Sequence, residues 1–85
     1  MNIQLKDTEA GPVYAQIRTQ IEALIQSREL KSGDALLSPA ALAQKLSVDK
    51  GEIQRAYYEL EQSGLVSKKM GKDFLGHSKT TYLVK

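Results

Sequence analysis

The sequence contains no cysteine, only one histidine and no long apolar run. Without cysteine, the chain can form neither a disulfide framework nor a thiolate metal site. Its apolar stretches fall short of the roughly 18 residues that a membrane-spanning helix needs, and residues 1–11 lack the apolar block of a signal peptide. These absences predict a soluble cytoplasmic protein that uses no metal or cofactor and does not contact a membrane.

Recognisable catalytic motifs are absent as well. The sequence has no G-x-S-x-G nucleophile motif and no phosphate-binding loop. Glu52, Glu59 and Glu61 share one predicted helix, but no base or metal ligand accompanies them. His77 has no second ligand at metal-binding spacing, so we expect it to be an exposed surface residue. The sequence therefore favours a binding function over catalysis.

Positive charge is concentrated near the C-terminal end. The formal net charge is only +2, from twelve Lys and Arg against ten Asp and Glu, yet residues 66–85 hold five lysines and a single acid, Asp73. A local basic segment on a near-neutral chain can guide a polyanion to one face. A solvated lysine-rich hairpin that avoids edge aggregation is the alternative, and charge alone does not separate the two.

Eighty-five residues allow one domain with a modest core. Residues 1–11 are polar and lack a clear period, which predicts a flexible N-terminal arm followed by a folded domain over residues 12–85. The first helix is predicted over residues 12–28, with Pro12 at its first position and apolar residues recurring at spacings of three and four.

Two further helices are predicted with explicit capping signals. The second begins after Ser38, an N-cap residue, and ends near Leu46. The third begins after Asp49, which forms a capping-box-like pair with Glu52, and stops at residues 63–64. Because only three residues join these two helices, they form a helix-turn-helix with the third helix as the candidate recognition helix.

A β-hairpin is predicted after the helices. Its strands cover residues 65–70 and 80–84, a short strand precedes the second helix at residues 35–37, and residues 71–79 form a long tip. The predicted fold class is thus mainly α with a small β-hairpin, a winged helix-turn-helix of three helices and a two- or three-stranded wing. Because Lys68 and its neighbour alternate across the strand, at most one of the two faces a bound duplex.

Several stretches of the sequence resemble GntR-type transcriptional regulators. PVYAQI at residues 12–17 looks like P-L-Y-x-Q-I, and residues 30–38 are similar to L-x-P-G-x-x-L-P-S. LAQKLSV at residues 42–48 resembles L-A-x-x-L-G-V, and AYYELEQSGLV at residues 56–66 resembles A-L-x-x-L-x-x-x-G-L-V. The resemblance implies a winged-helix DNA-binding domain, which in this family is usually followed by an effector-sensing, dimerising domain. No such second domain is present in these 85 residues, so we expect a regulator that lacks a separate effector domain.

Fewer of the residues that usually contact DNA in this family are present in this sequence. Ala40 stands where the resemblance places a DNA-contacting arginine, and at the start of the third helix only Lys50 keeps a basic side chain. Glu52 replaces a threonine and Gln54 replaces a frequent arginine. Carboxylates suit a helix N-terminus but repel phosphates. Three hypotheses stay open: a different DNA sequence is read, binding is weak and depends on dimerisation or a partner, or the scaffold has become a protein-interaction module.

The predicted DNA contacts come from the helix-turn-helix and the wing. Lys50 is favoured for phosphate, and Gln54 can pair with adenine or remain solvated. Arg55 either contacts DNA or pairs with Glu59 one turn away, and Tyr58 is expected to pack rather than to bind. The full candidate set is Ser38, Lys50, Gln54, Arg55, Lys69, Gly71, Lys72 and Lys79. The predicted partner is double-stranded DNA, and both a homodimer and a complex with a partner protein stay open.

Overall fold

Three helices precede one β-hairpin in the computed structural model, which describes residues 3, 5 and 11–85. The helices are α1 (Val13–Gln26), α2 (Pro39–Leu46) and α3 (Lys50–Gln62), and the strands are β1 (Val66–Lys72) and β2 (Ser78–Val84). This order confirms the predicted fold class.

The predicted N-terminal arm falls mostly outside the described residues, at residues 1, 2, 4 and 6–10. Of the two described residues before residue 11, Ile3 is only 6% exposed and belongs to the core, and Leu5 packs against that core. Ile3 and Leu5 therefore pack on the domain, although the polar composition of residues 1–11 gave no sign of such packing.

α2 and α3 begin after the predicted capping residues, and α3 ends just before the predicted glycine. Ser38 Oγ accepts a hydrogen bond from the backbone N–H of Ala41 at 3.2 Å, and Asp49 Oδ1 accepts one from that of Gly51 at 3.1 Å. Both bonds satisfy donors that a helix N-terminus leaves without partners. Beyond α3, Gly64 takes the left-handed conformation (φ 83°) that commonly terminates a helix.

The ends of α1 differ from the predicted residues 12–28. Pro12 is the N-cap, with an extended ψ of 152°, rather than the first helical residue. The helix stops at Gln26 because Arg28 adopts a left-handed φ of 66° and the N–H of Leu30 donates to Leu24 O at 3.0 Å. A non-glycine residue in this conformation is uncommon, which is why no sequence signal marked the end.

The two strands of the hairpin pair antiparallel along their whole length. Each extends two residues further towards the turn than predicted, so the tip is residues 73–77 rather than 71–79. Gly71, predicted in the tip, pairs with Lys79 inside the ladder. The left-handed conformation that the turn requires is supplied by Gly76 (φ 85°).

The outer edge of β2 is also paired, with residues 34–36. Leu36 N donates to Tyr82 O at 2.8 Å, and Val84 N donates to Asp34 O at the same distance. The short strand predicted here is therefore an isolated bridge rather than a full strand. Because β2 lies between this segment and β1, the base of the hairpin is fixed to the helical body.

The core lies where α3 packs against α1, α2 and the base of the hairpin. Its buried apolar residues are Ile3, Ile17, Ile21, Leu36, Leu42, Ala43, Ile53, Ala56, Tyr57, Leu60, Val66 and Val84. Tyr57 is the largest of the fully buried side chains and meets the ring of Tyr82 edge to face, with centroids 4.9 Å apart. α3 is thus held on one side, and its opposite face is left exposed.

Candidate nucleic-acid interface

An open cleft of about 300 Å³ lies between the start of α2, the first turns of α3 and the hairpin. Its lining residues are Ser38, Pro39, Ala40, Lys50, Gln54, Lys68, Thr80 and Tyr82. Three of the predicted contacts, Ser38, Lys50 and Gln54, therefore come together on one face. With Lys68, which was not in the candidate set, they place two ammonium groups, an amide and a hydroxyl around the same opening.

Helix periodicity explains why α3 presents these side chains. Lys50 and Gln54 are four residues apart, so they project from the same face of the helix. The core residues of α3, among them Ile53 and Tyr57, are fully buried and form the adjacent stripe, so Lys50 and Gln54 lie along its exposed edge. Burial of one stripe thus determines that the Lys50–Gln54 stripe faces solvent.

Tyr57 connects the core to the rim of the cleft. Its hydroxyl donates a hydrogen bond to Leu37 O at 2.7 Å, immediately before the cap residue Ser38. Burial, with a smaller contribution from neighbouring Tyr82, raises the pKa of the Tyr57 hydroxyl well above its ordinary value. The hydroxyl therefore remains a hydrogen-bond donor at neutral pH and holds the start of α2 against α3.

Lys68 lies in the cleft, whereas Lys69 lies elsewhere. Lys69 lines a second open surface together with Gly71, Lys72 and Lys79, all members of the candidate set. Strand alternation predicts that the two adjacent lysines face opposite ways, but it does not say which faces the helices. Lys68 is two residues from Val66, so both side chains face the same side of the strand, and Val66 is buried against the body. The burial of Val66 is therefore the signal that could have placed Lys68, rather than Lys69, in the cleft.

Arg55 lines neither of these two surfaces. Its guanidinium carbon is 3.9 Å from the centroid of the Tyr14 ring, and its Nε is 3.5 Å from Glu59 Oε2. Glu59 Oε1 also accepts a hydrogen bond from Arg18 Nη1 at 2.6 Å. Of the two roles left open for Arg55, the structure contains the pair with Glu59, in a cluster that joins α1 to α3.

The predicted capping-box pair between Asp49 and Glu52 is wrong. Glu52 Oε2 instead accepts a hydrogen bond from Tyr14 N at 3.0 Å, in the first turn of α1. The N-cap of that helix is Pro12, which makes no side-chain cap, and its first turn contains no acidic residue. Glu52 therefore caps α1 from a neighbouring helix, an arrangement that depends on packing and that a local motif cannot reveal.

This contact changes the electrostatics of the cleft. Glu52 is half-buried against α1 and does not line the opening, and Asp49 Oδ1 is engaged by the N–H of Gly51. The carboxylates expected to repel phosphates thus serve two helix N-termini, where negative charge is stabilised. The side chains that line the cleft itself are neutral or positive.

Some exposed apolar side chains were not expected from the sequence. Tyr58, predicted to pack, is 59% exposed on α3, four residues after Gln54. Phe74 and Leu75 protrude from the hairpin turn. Tyr58 therefore does not pack as expected, whereas Phe74 and Leu75 lie within the tip predicted at residues 71–79.

Within residues 3, 5 and 11–85, no cluster of three or more His, Asp and Glu side chains could hold a metal ion. Among the same residues, no helix is both long and apolar enough to cross a membrane.

The family model for "Bacterial regulatory proteins, gntR family" matches residues 13–74. The "Uncharacterized HTH-type transcriptional regulator YhcF" of Bacillus subtilis (strain 168) is 38% identical over 60 residues, which cover 71% of this chain and 50% of that protein. The "HTH-type transcriptional repressor YtrA" of the same organism is 30% identical over 83 residues, covering 96% of this chain and 64% of the repressor. The chain thus spans between half and two thirds of the length of these relatives.

Solved structures with the same fold include a GntR-family transcription factor, YtrA from Sulfolobus acidocaldarius. It superposes with a TM-score of 0.77 at 34% identity, covering 99% of this chain and 78% of that one. The DNA-binding domain of AraR, crystallised with operator ORX1, superposes with a TM-score of 0.68 at 19% identity over the whole chain and 93% of its own length. Because the family model spans most of the sequence, this chain belongs to the gntR family of bacterial regulatory proteins.

Proposed function

We propose that this chain is the double-stranded DNA-binding domain of a transcriptional regulator. In this proposal α3 enters the major groove with Lys50 and Gln54 towards the bases and backbone, and the hairpin follows the neighbouring groove. The single observation that supports it most is the cleft, where Ser38, Lys50, Gln54 and Lys68 converge on one open face.

Each of these side chains has a chemically defined partner on a duplex. Lys50 and Lys68 are exposed ammonium groups suited to phosphates, and the hydroxyl of Ser38 can donate to a phosphate oxygen while it caps α2. Gln54 can bond the N6 and N7 edge of adenine in two places. The amide would therefore supply sequence discrimination, whereas the lysines would supply affinity and orientation.

The second lysine surface extends the same proposal to the wing. Lys69, Lys72 and Lys79 surround one open region of the hairpin, and we assign them to backbone contacts further along the duplex. Arg55 is assigned a smaller part, because Glu59 and the Tyr14 ring already engage its guanidinium. A protein bound to the chromosome in this way would act in the cytoplasm.

Electrophoretic mobility shift with a pool of random 30-base-pair duplexes, at two or more salt concentrations, tests the proposal. We expect affinity to fall with the logarithm of the salt concentration, with a slope of about −0.9 per phosphate contacted. The double substitution Lys50→Ala and Lys68→Ala should weaken binding and reduce the magnitude of that slope by about two. Lys31→Ala is the matched control, because this exposed lysine lines neither lysine surface.

Binding that is absent at low salt would contradict the proposal and would leave the protein-interaction hypothesis in its place. Equal binding by the parent and the double variant would instead contradict the assignment of the cleft. If two copies bind together, selected duplexes should contain paired half-sites about one helical turn apart. Gln54→Ala should then relax the sequence preference at one position of each half-site, with little change in the salt slope.

A further inference from the structure

The turn of the hairpin presents apolar side chains to solvent. Phe74, the only phenylalanine in the chain, is 96% exposed, and Leu75 beside it is 65% exposed. Single exposed hydrophobic residues are ordinary on protein surfaces. Two adjacent ones at the turn of a hairpin are different, because none of the described residues covers them and both are available to a partner.

Hydrogen bonds hold this turn in one conformation. Asp73 Oδ1 accepts from the N–H of Leu75 at 2.9 Å and from that of His77 at 3.0 Å. Backbone bonds from Asp73 N to His77 O and from Gly76 N to Asp73 O, each 3.0 Å, close the loop. Phe74 therefore stands on a rigid platform, which lowers the entropic cost of inserting it into a partner.

The charge around the turn complements a polyanion. Asp73 is the only acid in residues 66–85, and its Oδ1 is directed into the turn, where two backbone N–H groups donate to it. Lys72 and Lys79 flank the turn on the two strands and are exposed. A partner that fits this surface has a dense row of negative charge and an apolar slot. A DNA duplex supplies both, with its phosphate backbone and its stacked bases.

The position of the turn suits a groove next to the one that the cleft faces. Four residue pairs separate the level of Lys68, in the cleft, from Lys72 at the end of β1. This spacing corresponds to about 13 Å along the strand, to which the turn adds a few ångströms. Half a helical turn of DNA is about 17 Å, so the hairpin is long enough for its tip to reach the adjacent minor groove when α3 occupies the major groove.

We propose that Phe74, supported by Leu75, is an apolar wedge that enters the minor groove and partly unstacks one base step. Apolar side chains inserted in this way bend a duplex and increase the protein surface that it contacts. The proposal depends on the DNA-binding function proposed above and adds a contact by which the wing would deform DNA rather than only approach its backbone.

Phe74→Trp provides a direct test, because the natural chain has no tryptophan. The probe is a 30-base-pair duplex recovered by selection from a random pool with the parent chain. Stacking against bases should quench the tryptophan emission severalfold, and 2-aminopurine placed at the contacted step should brighten as that step unstacks. Phe74→Ala should weaken binding to this duplex about tenfold, the effect of losing one aromatic–base contact.

Controls separate the wedge from general loss of apolar surface. Met70→Ala removes another exposed apolar side chain, 70% exposed, from the second lysine surface on β1 rather than from the turn, so it should leave the 2-aminopurine signal of the parent complex unchanged. Phe74→Leu keeps an apolar tip and should restore part of the affinity that Phe74→Ala loses.

The possible failures are distinct. If the parent recovers no duplex, the proposed function fails and the wedge with it. If the parent binds while Phe74→Ala binds equally well and the tryptophan is not quenched, only the wedge is overturned. A blue-shifted tryptophan emission with vesicles of phosphatidylserine and phosphatidylcholine but no response to DNA would overturn it in favour of a membrane contact. Loss of self-association in Phe74→Ala, without a change at the 2-aminopurine site, would overturn it in favour of a dimer contact.

Discussion

Replacing Glu52 tests whether α1 is capped by a residue of another helix. The Glu52 carboxylate accepts the N–H of Tyr14 at 3.0 Å, and α1 has neither a side-chain cap of its own nor an acid in its first turn. Glu52→Ala removes this hydrogen bond, a loss of about 1 kcal/mol for a typical N-cap. It also removes a negative charge near the starts of α1 and α3, a further loss of about 0.3–1 kcal/mol. Together these changes predict destabilisation of about 1.5 kcal/mol.

Glu52→Gln separates the two contributions. The amide oxygen can still accept the Tyr14 N–H, so only the charge contribution of about 0.3–1 kcal/mol should be lost. A change of 1 kcal/mol shifts the melting temperature of a domain of this size by about 4–8 °C. The glutamine variant should therefore melt a few degrees below the parent, and the alanine variant about 6–12 °C below it.

Urea denaturation and thermal melting, both followed by far-ultraviolet circular dichroism, measure these shifts. Glu29→Ala is the matched control, because Glu29 is exposed and lies outside every helix and strand. High salt should narrow the gap between the parent and Glu52→Gln, since the charge interaction is screened. An alanine variant that is as stable as the parent would refute the capping role.

The same variants test the electrostatics of the cleft. If Glu52 opposed the phosphates, Glu52→Gln would tighten DNA binding, and about 1.4 kcal/mol of relieved repulsion would correspond to tenfold. Because the carboxylate is engaged by α1, we expect the affinity of the folded glutamine variant to stay within about twofold of the parent's. A tenfold gain would show that the carboxylate faces the duplex.

Two further predictions concern the contacts that hold α3. Tyr57→Phe removes the hydrogen bond to Leu37 O and should cost about 1 kcal/mol at pH 8 in urea denaturation. Burial raises the pKa of Tyr57 in the folded protein above its unfolded value of about 10, so above pH 10 only the unfolded state releases the proton and the folding stability of the parent should fall by up to about 1.4 kcal/mol per pH unit. The stability difference between the parent and Tyr57→Phe should therefore shrink as the pH rises. A difference that stays constant would argue against the raised pKa. Arg18→Ala and Glu59→Ala should show a coupling energy of about 0.5–1 kcal/mol in a double-mutant cycle, a modest value because both side chains of this ion pair are partly exposed. Additive effects of the two substitutions would contradict a stabilising interaction between them.

Much of the scaffold could be predicted because its signals are local. Ser38 and Asp49 cap helices through bonds to N–H groups two or three residues away, and Gly64 ends α3 by adopting a conformation that most other residues disfavour. The amphipathic stripe of α3 likewise follows from the helical period, which places Lys50 and Gln54 at the exposed edge of the buried stripe. These features depend on the backbone and near neighbours, so the residue pattern carries them.

Other features depend on contacts between distant segments, and only the tertiary structure decided them. A capping box would pair the Glu52 carboxylate with the backbone N–H of Asp49. Packing of α3 against α1 instead brings the carboxylate to the N–H of Tyr14, 38 residues away in the sequence. The burial of Val66 directs Lys68, rather than its neighbour, into the cleft. Phe74 lies in the predicted tip, and the structure adds that its side chain is 96% exposed beyond the paired strands.

The sequence by itself thus determined three helices, a hairpin and an exposed stripe on α3, since capping and periodicity act over a few residues. The tertiary structure decided which charges meet. It joined Arg18 of α1 to Glu59 of α3, assigned the Glu52 carboxylate to α1 and left Lys50 and Lys68 together at the open cleft. Charge–charge and helix-terminus interactions depend on distance in space, and spacing along the chain does not specify that distance.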